Sequence, residues 1–182
     1  LIAVLMILDL NSNVVEYNIQ KKLRAGGGRF GSTSLSVTLS NEKSFHQAKK
    51  LVKYLKCIGP VGVQFKFDQD DQEYKVMEIN SRFSVGVSLA IGSGDNLPLA
   101  LVKTFNKKNY RKNRDKKIGY FLWNPLTDIT FLLSKKLFKD FRQNISIINK
   151  PKIIVPLDKA DLKPLKIQIS MILKAILKRL KK

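Results

Sequence analysis

The sequence predicts an α+β fold in which an antiparallel sheet is flanked by helices and followed by a helical C-terminal tail. Two apolar runs at residues 61–67 and 74–79, joined by the polar residues 68–73, have the pattern of a β-hairpin. Residues 41–55 repeat apolar side chains at helical spacing, with lysines on the opposite face. Residues 165–180 show the same periodicity and end in basic residues, which suit a helix C-terminus. A chain of 182 residues with these elements can enclose one good core.

Further elements are expected on both sides of this hairpin. The apolar run 1–10 is too short to span a bilayer, and together with a turn at 11–13 and a return at 14–19 it predicts a buried hairpin. Residues 21–34 contain three consecutive glycines and are expected to form a loop. The remaining expectations are a helix over 84–102 broken at residues 92–94 and at Pro98, a strand at 119–123, a helix over 128–141 and an apolar segment at 145–155.

The polar, basic stretch 106–117 has little core material and is expected to be a linker. It would separate a domain at residues 1–105 from a helical extension at residues 118–182. The chain does not begin with Met and opens directly in an apolar run, so a fragment of a longer protein is expected.

The net charge of +20 arises from 34 Lys and Arg residues against 14 Asp and Glu residues. Such an excess is typical of nucleic-acid or anionic-membrane binding, but AT-rich coding, which favours Lys, Asn and Ile, explains most of it better. No basic strand with interleaved aromatic residues is present, so a nucleic-acid partner is not expected. The lone Cys57 excludes an internal disulfide and fits the reducing cytoplasm.

The candidate site lies at the end of the second hairpin run. Alternation puts Tyr74 and Val76 on one face, with Glu78 beside them if the alternation continues. Glu78 and Asn80 are two residues apart, so both side chains point the same way, and Gln64 on the partner strand could face the same point. A carboxylate and two amide oxygens suit Mg²⁺, which completes its shell with water and nucleotide phosphates.

Three further sets of residues are candidates for a functional role. Arg82, two residues beyond Asn80, could bind phosphate oxygens through its guanidinium group. Asp68, Asp70 and Asp71 in the turn could form a calcium loop, but the glycine and distal glutamate of an EF-hand are missing, which favours a solvated turn. The single histidine, His46, lies on the helix at 41–55 without a nucleophile partner, and no role is assigned to it.

A longer string of motifs resembles the second half of an ATP-grasp domain. The string consists of GVQF at residues 62–65, MEINSRF at 77–83, then Gly86, and AIGSGDNLP at 90–98. It is most similar to the carbamoyl-phosphate-synthase-like branch, in which a Gln precedes a Glu-(Ile/Met)-Asn-Pro-Arg motif. Ser81 replaces the usual Pro, which removes a fixed φ but no ligand. The resemblance covers residues 1–103 and implies the C-terminal lobe of the ATP-grasp fold.

The resemblance implies an ATP- and magnesium-dependent ligase of the carboxylate–amine type, with Mn²⁺ able to take the same oxygen site. Such an enzyme activates a carboxylate as an acylphosphate for attack by an amine or similar nucleophile. The implied metal and nucleotide ligands are Gln64, Glu78 and Asn80, and Arg82 would bind the phosphates and stabilise the transferring phosphoryl group. Arg24, placed ahead of the glycine triplet, would face the substrate or the phosphates. The tail loosely resembles those of ATP-grasp proteins from surface-polysaccharide gene clusters. The enzyme is therefore expected to act in a surface-polysaccharide pathway or in a small-metabolite pathway.

Two alternatives stay open at this stage. In the family the adenine hinge and the phosphate-binding lysines precede the segment equivalent to Leu1, so an N-terminal lobe or an oligomer partner is expected to be missing, and the chain alone to be inactive. The chain could otherwise be a non-catalytic ATP-grasp remnant that acts as a binding or structural module through its basic surface. The helix at 165–180 is expected to dock on the body, with peripheral membrane contact as the alternative.

Overall fold

A single mixed sheet organises the computed structural model, which describes residues 1–25, 33–112, 115–132, 149–155 and 160–180. Within these residues, seven strands are hydrogen-bonded in the order β5-β4-β1-β2-β3-β6-β7. The strands are β1 (Ile2–Leu8), β2 (Val14–Ala25), β3 (Thr33–Thr38), β4 (Gly59–Asp68), β5 (Glu73–Asn80), β6 (Phe121–Trp123) and β7 (Lys152–Ile154). All neighbours are antiparallel except β6 and β7. The predicted α+β class and both predicted hairpins are therefore confirmed.

Helices pack on both faces of the sheet. They are α1 (Glu42–Tyr54), α2 (Val87–Gly92), α3 (Leu97–Phe105), α4 (Pro125–Leu132) and α5 (Lys163–Leu180). The side chain of Asn41 caps α1 by accepting from the amide of Ser44 at 2.9 Å. The expected break at residues 92–94 is confirmed, because α2 ends at Gly92 and α3 begins at Leu97 after an Asn96 cap. The expected break at Pro98 is wrong, because Pro98 lies in the first turn of α3, where its missing N–H costs no helical hydrogen bond.

The central strand β1 is apolar on both faces because both faces are covered. Ile2, Val4 and Met6 point towards α1, where they form one core cluster with residues of α1 and β4. Leu5 and Ile7 point the other way and pack against residues of α2 and α3. A strand covered on both sides has no solvent-facing positions, which explains the nearly unbroken apolar run at the start of the sequence.

Two regions differ from the sequence-based expectations. The expected loop at 21–34 is strand up to Ala25 and again from Thr33 to Thr38, and residues 26–32 lie outside the described part. The expected linker at 106–117 does not separate two structural layers, because β6 and β7 follow it and join the same sheet. The reason is that short strands of three residues leave too little periodicity to reveal sheet partners.

The tail contains the predicted terminal helix, but its described side chains are not docked as expected. Leu165 and Gln168 are half-buried, and Gln168 Nε2 donates to Asn124 Oδ1 at 3.5 Å. Ile167 and Met171, in contrast, are 61% and 66% exposed. Of the expected helix at 128–141, α4 contains the first residues and the remainder lies outside the described residues. None of the described helices is long and apolar enough to cross a membrane.

Candidate functional site

A β-bulge in β5 decides which face carries the candidate metal ligands. Phe65 pairs with Val76 and Gln64 pairs with Glu78, so Met77 is an extra residue in this register. Phe65 is buried in the cluster that faces α1, whereas Gln64 lies on the opposite face. The simple alternation that would keep Glu78 with Tyr74 and Val76 is therefore wrong, since the bulge turns Glu78 to the other face.

The bulge brings the three expected oxygen donors together. Gln64 and Glu78 are directly cross-strand partners, and Asn80 pairs with Gly62 one step along the same face. Asn80 Nδ2 donates to Glu78 Oε1 at 2.5 Å. Glu78 is exposed, while Gln64 and Asn80 are half-buried. The metal-binding role itself stays a prediction.

The donor set fits a hard divalent cation. Among the described residues, no three His, Cys, Asp or Glu side chains come close enough to hold a metal ion by themselves. A metal ion at Glu78 would therefore also use the amide oxygens of Gln64 and Asn80, with water and phosphate oxygens completing its shell. Such an incomplete protein shell is characteristic of Mg²⁺ at nucleotide sites.

Gln64 and Asn80 line a cleft of about 440 Å³ on the sheet face opposite α1, which is also the face of Glu78. Its floor is formed by small residues, because Gly62 has no side chain and Ala3 lies between Gln64 and Gln20 in the ladder. With strands about 4.8 Å apart, Gln64 and Gln20 stand roughly 10 Å from each other across this floor. A Cβ at Gly62 would lie 3.2 Å from Leu5 Cδ2, so the floor has little tolerance for a larger residue. The floor is therefore wide and low enough for a chain of phosphates.

Two charged side chains, Lys22 and Arg82, are among the described residues that line the cleft, and both are basic. Arg82 lies on the segment after β5, is exposed, and places Nη1 3.4 Å from the carbonyl of Phe83. Lys22 enters from β2 on the opposite side and is half-buried, and this burial lowers the pKa of Lys22. Two cations at a cleft with an oxygen-donor cluster favour a metal-complexed polyanion as the ligand.

Lys22 was missed because it lies in the stretch expected to be a loop. The available signal was the alternation of Glu16, Asn18, Gln20 and Lys22, which continues the strand pattern of residues 14–19. All four are polar, so they give no hydrophobic signal for a buried face.

The structure does not bring Arg24 to the cleft. Lys22 pairs with Ser36 and Arg24 pairs with Leu35, and these successive residues of β3 point to opposite faces. Arg24 is buried in an ion pair with Asp128, with 2.5 Å between Nη2 and Oδ2. Trp123 Nε1 donates to the same carboxylate oxygen at 2.7 Å. This ion pair connects β2 to α4. It gives Arg24 a structural contact on the sheet face opposite to that of Gln64, Glu78 and Asn80.

The aspartates of the β4–β5 turn form a solvent-exposed ionic turn. Asp68 Oδ1 accepts from the amide of Asp70 at 3.0 Å, as in an Asx-turn. Lys75 contacts the carboxylates of both Asp68 and Asp71. The hydrogen bond from Lys75 lowers the pKa of Asp68. A lysine occupies the place that a calcium ion would need, which agrees with the solvated turn.

A buried polar ladder along β2 adjoins the cleft and was not predicted. Glu16, Asn18 and Gln20 are at most 5% exposed, although each carries a polar side chain. Lys116 lies 3.2 Å from Glu16 Oε1 and 3.1 Å from Asp95 Oδ1, and Tyr110 donates its hydroxyl to Glu16 Oε2 at 2.9 Å. Because Lys116 is 100 residues away from Glu16 in sequence, no local pattern could reveal this pairing.

Burial and neighbouring charges shift the pKa values of this cluster in different directions. Burial raises the pKa of Asp95, against the opposing effects of Asn18 and Lys116. Burial alone would lower the pKa of Lys116, but the Asp95 and Glu16 carboxylates outweigh it and raise that pKa. The pKa of Tyr110 is raised by burial and by its hydrogen bond to Glu16. The network is thus held by a protonated lysine between two acids.

Solved structures share this fold at low sequence identity. The biotin carboxylase domain of a thermophilic 2-oxoglutarate carboxylase, bound to bicarbonate, superposes with a TM-score of 0.51 at 14% identity. The match covers 66% of this chain and 28% of that domain. A Rhizobium etli pyruvate carboxylase, solved with the allosteric activator acetyl coenzyme-A, gives a TM-score of 0.53 at 15% identity, over 66% of this chain and 13% of that one. This chain therefore spans less than a third of the length of either, and at these identities the likeness establishes the fold.

A third structure carries a nucleotide. The biotin carboxylase domain dimer of Hydrogenobacter thermophilus 2-oxoglutarate carboxylase, in complex with MgADP, ADP and bicarbonate, matches with a TM-score of 0.50 at 13% identity, over 66% of this chain and 28% of that domain. No curated protein matches the chain significantly.

A protein-family model gives the family directly. The model described as "ATP-grasp in the biosynthetic pathway with Ter operon" matches residues 12–122, which is more than half of the chain. The matched region contains β2 to β5 and therefore the Gln64, Glu78, Asn80 and Arg82 positions. The chain belongs to this ATP-grasp family.

Proposed function

We propose that this chain supplies the metal- and phosphate-binding part of an ATP-dependent ligase that activates a carboxylate as an acylphosphate. The observation that carries the proposal is the cross-strand pairing of Gln64 with Glu78, together with the Asn80–Glu78 contact. The bulge in β5 places Glu78 on the sheet face that carries the cleft. Family membership supports ATP as the phosphoryl donor. The small residues of the cleft floor leave room for a polyphosphate, and the flanking cations Lys22 and Arg82 match its negative charge.

The proposed residues have distinct tasks. Glu78, Asn80 and Gln64 would hold a magnesium ion, and the bound ion would supply positive charge that neutralises the phosphates. Arg82 orients the transferring phosphoryl group and stabilises its negative charge. Lys22 binds phosphate or carboxylate oxygens from the β2 side of the cleft. Arg24 is left out of the reacting groups because its guanidinium is paired with Asp128.

The proposed reaction takes place in two balanced steps. A carboxylate oxygen of the substrate attacks the γ-phosphorus of ATP, the bond to the bridging oxygen breaks, and ADP leaves with those electrons. An amine or similar nucleophile then attacks the acyl carbon, loses a proton and expels inorganic phosphate. Positioning and charge neutralisation account for most of the catalysis of such transfers, so a side-chain nucleophile is not required.

The metal site can be tested without turnover by using Mn²⁺ as a paramagnetic probe. In the presence of ADP, low concentrations of Mn²⁺ should first broaden the side-chain amide NMR signals of Gln64 and Asn80. Glu78→Gln, which keeps the shape and removes the charge, should abolish this selective broadening. Asp70→Asn is the matched control, because it removes the same charge from the exposed turn of the same hairpin and should leave the broadening unchanged.

Two results would overturn the proposal. One is broadening that begins at the aspartates of the β4–β5 turn and ignores Glu78→Gln. The other is ADP binding that does not require a divalent ion and weakens with salt in the same way as binding of inorganic polyphosphate. The second result would favour a non-catalytic module that binds anions through its basic surface.

A further inference from the structure

We infer that Gln20 is a positioning residue that holds the Arg82 segment in place through a hydrogen-bond chain of fixed direction. The inference rests on the proposed function for the task of Arg82, but the structural coupling can be measured separately. It concerns the stretch between Asn80, the last residue of β5, and Gly86, which precedes α2.

Gln20 contacts this stretch directly. Its Nε2 donates to the carbonyl of Gly86 at 2.7 Å and to Asn18 Oδ1 at 2.8 Å, so both of its amide hydrogens are used. The side chain is 5% exposed and lines the cleft together with Gly86 and Arg82. Between the two ends, Phe83 packs against the apolar cluster of β1 and α3. Arg82 is therefore carried by a short segment that is fixed at β5, at Phe83 and at Gly86.

The direction of the hydrogen bonds is set from the far end of the ladder. Lys116 lies 3.1 Å from Asp95 Oδ1, and Asn18 Nδ2 donates to the other carboxylate oxygen, Asp95 Oδ2, at 2.8 Å. Asn18 must then turn its carbonyl oxygen towards Gln20. Gln20 in turn must present its NH₂ group, which is the group that the Gly86 carbonyl can accept from. A reversed Gln20 amide would set its carbonyl oxygen against the Gly86 carbonyl. A reversed Asn18 amide would set its carbonyl oxygen against the Asp95 carboxylate and its NH₂ against the NH₂ of Gln20, so the ladder admits one arrangement.

The missing side chain of Gly86 is part of the same arrangement. A Cβ built there would lie 2.2 Å from Gln20 Oε1, a distance that no packed structure allows. The backbone of Gly86 has φ −68° and ψ −6°, which any residue adopts, so glycine is required here for space and not for conformation. Gln20 and Gly86 are therefore matched as a pair.

The first test compares backbone motion of residues 82–86 by ¹⁵N relaxation in the whole chain. Gln20→Leu removes the donor, and we expect the order parameters of these amides to fall from about 0.85 to below about 0.6. Thr38→Val is the matched control, because Thr38 is buried beside Gln20 on β3 and its hydroxyl donates to the Lys117 carbonyl at 2.7 Å instead of to the Gly86 carbonyl. Unchanged order parameters in Gln20→Leu, or an equal fall in Thr38→Val, would overturn the inference.

A double-mutant cycle tests the pairing of Gln20 with Gly86 without relying on a single substitution. Gly86→Ala alone should loosen residues 82–86 as Gln20→Leu does, because its methyl group displaces Gln20. In a Gln20→Ala background the same Gly86→Ala change should have no further effect, since the obstructing amide is gone. Additive effects of the two substitutions would contradict the pairing.

Titration with MgADP separates this inference from the proposed function. We expect Gln20→Leu to bind MgADP about tenfold more weakly than the unchanged chain, a factor that corresponds to about 1.4 kcal/mol. If Glu78→Gln leaves the Mn²⁺ broadening of Gln64 and Asn80 unchanged while Gln20→Leu still loosens residues 82–86, the proposed function fails and the positioning inference stands. If MgADP binding depends on Glu78 but neither it nor the loop motion responds to Gln20→Leu, the positioning inference fails by itself.

Discussion

Replacing Lys116 by Met should be among the most destabilising single changes in the described part of the chain. Lys116 is the cation shared by Glu16 and Asp95, whose side chains are 0% and 3% exposed. The lysine also donates to the Tyr17 carbonyl at 2.9 Å, and its ammonium lies 4.0 Å from the Tyr17 ring centroid. Methionine retains most of the aliphatic stem but leaves two buried acids without their counter-charge.

The size of the effect follows from these contacts. Breaking a buried ion pair by removing one partner costs about 3–5 kcal/mol. Since 28% of the Lys116 side chain is exposed, water screens part of the interaction, and the lower end, about 3 kcal/mol, applies. For a chain of this length that is a fall in melting temperature of about 6–12 °C. Domains of this kind have a total stability of about 5–15 kcal/mol, so the loss is a large fraction of it.

Urea and thermal unfolding followed by circular dichroism would measure this loss. Lys43→Met is the matched control, because Lys43 forms an exposed pair with Glu73 and should change the free energy of unfolding by less than about 1 kcal/mol. Glu16→Gln in the Lys116→Met background should restore part of the stability, since one buried charge is removed. Equal effects of Lys116→Met and Lys43→Met would refute the reasoning.

The pH dependence supplies a signed check on the same variant. Burial already raises the folded-state pKa of Asp95, and loss of Lys116 raises it further because an opposing cation disappears. A carboxyl group whose pKa is raised on folding destabilises the protein when ionised, so lowering the pH through that pKa should relieve the penalty. The stability difference between Lys116→Met and the unchanged chain should therefore shrink as the pH falls from 7 towards 5. A difference that grows over this range would contradict the assignment.

Two further expectations concern Tyr110 and the last helix. In an alkaline spectrophotometric titration, Tyr110→Phe should remove the tyrosine component that ionises at the highest pH, because burial and Glu16 raise the pKa of Tyr110; removal of an ordinary component near pH 10 would contradict this. The exposed Ile167, Met171 and Leu173 lie beside Lys166 and Lys174 on α5, so the chain should sediment with anionic vesicles at low salt and be released as salt rises. Truncation after residue 162 should abolish that sedimentation, and equal sedimentation of the shortened chain would move the contact to another basic surface.

Local pattern was sufficient for elements whose two sides differ in polarity. Helix α1 was predicted from its apolar stripe, and its buried residues Ala48 and Val52 lie on that stripe. The hairpin of β4 and β5 was predicted from its two apolar runs and the turn at 68–73. The proximity of Glu78 and Asn80 could be predicted because a two-residue spacing survives the bulge, which lies before Glu78. The prediction from simple alternation that Glu78 shares a face with Val76 was wrong. A bulge depends on the partner strand and leaves no signature in the sequence of the bulged strand alone.

The polar ladder could not be predicted for a different physical reason. A strand in which Glu16, Asn18 and Gln20 alternate with Val15, Tyr17 and Ile19 has the pattern of a half-exposed strand. The structure buries the first three because distant groups satisfy them: Lys116 and Tyr110 for Glu16, Asp95 and Ser93 for Asn18. Burial of polar side chains is tolerated when each finds a partner. The partners of Glu16 come from the segment expected to be a linker, and those of Asn18 come from the turn between α2 and α3.

This dependence sets the smallest unit that can form the cleft. Residues 1–105 contain the candidate ligands, but in that piece Glu16 and Asp95 would be buried without Lys116, and β3 would lose β6 as its neighbour. Each unpaired acid would have to protonate or draw in water, and either change would release Asn18 and Gln20 from the orientation that holds Gly86. The segment after α3 is thus part of the scaffold of the site, because its lysine fixes the charge that orders the amides up to the Arg82 segment.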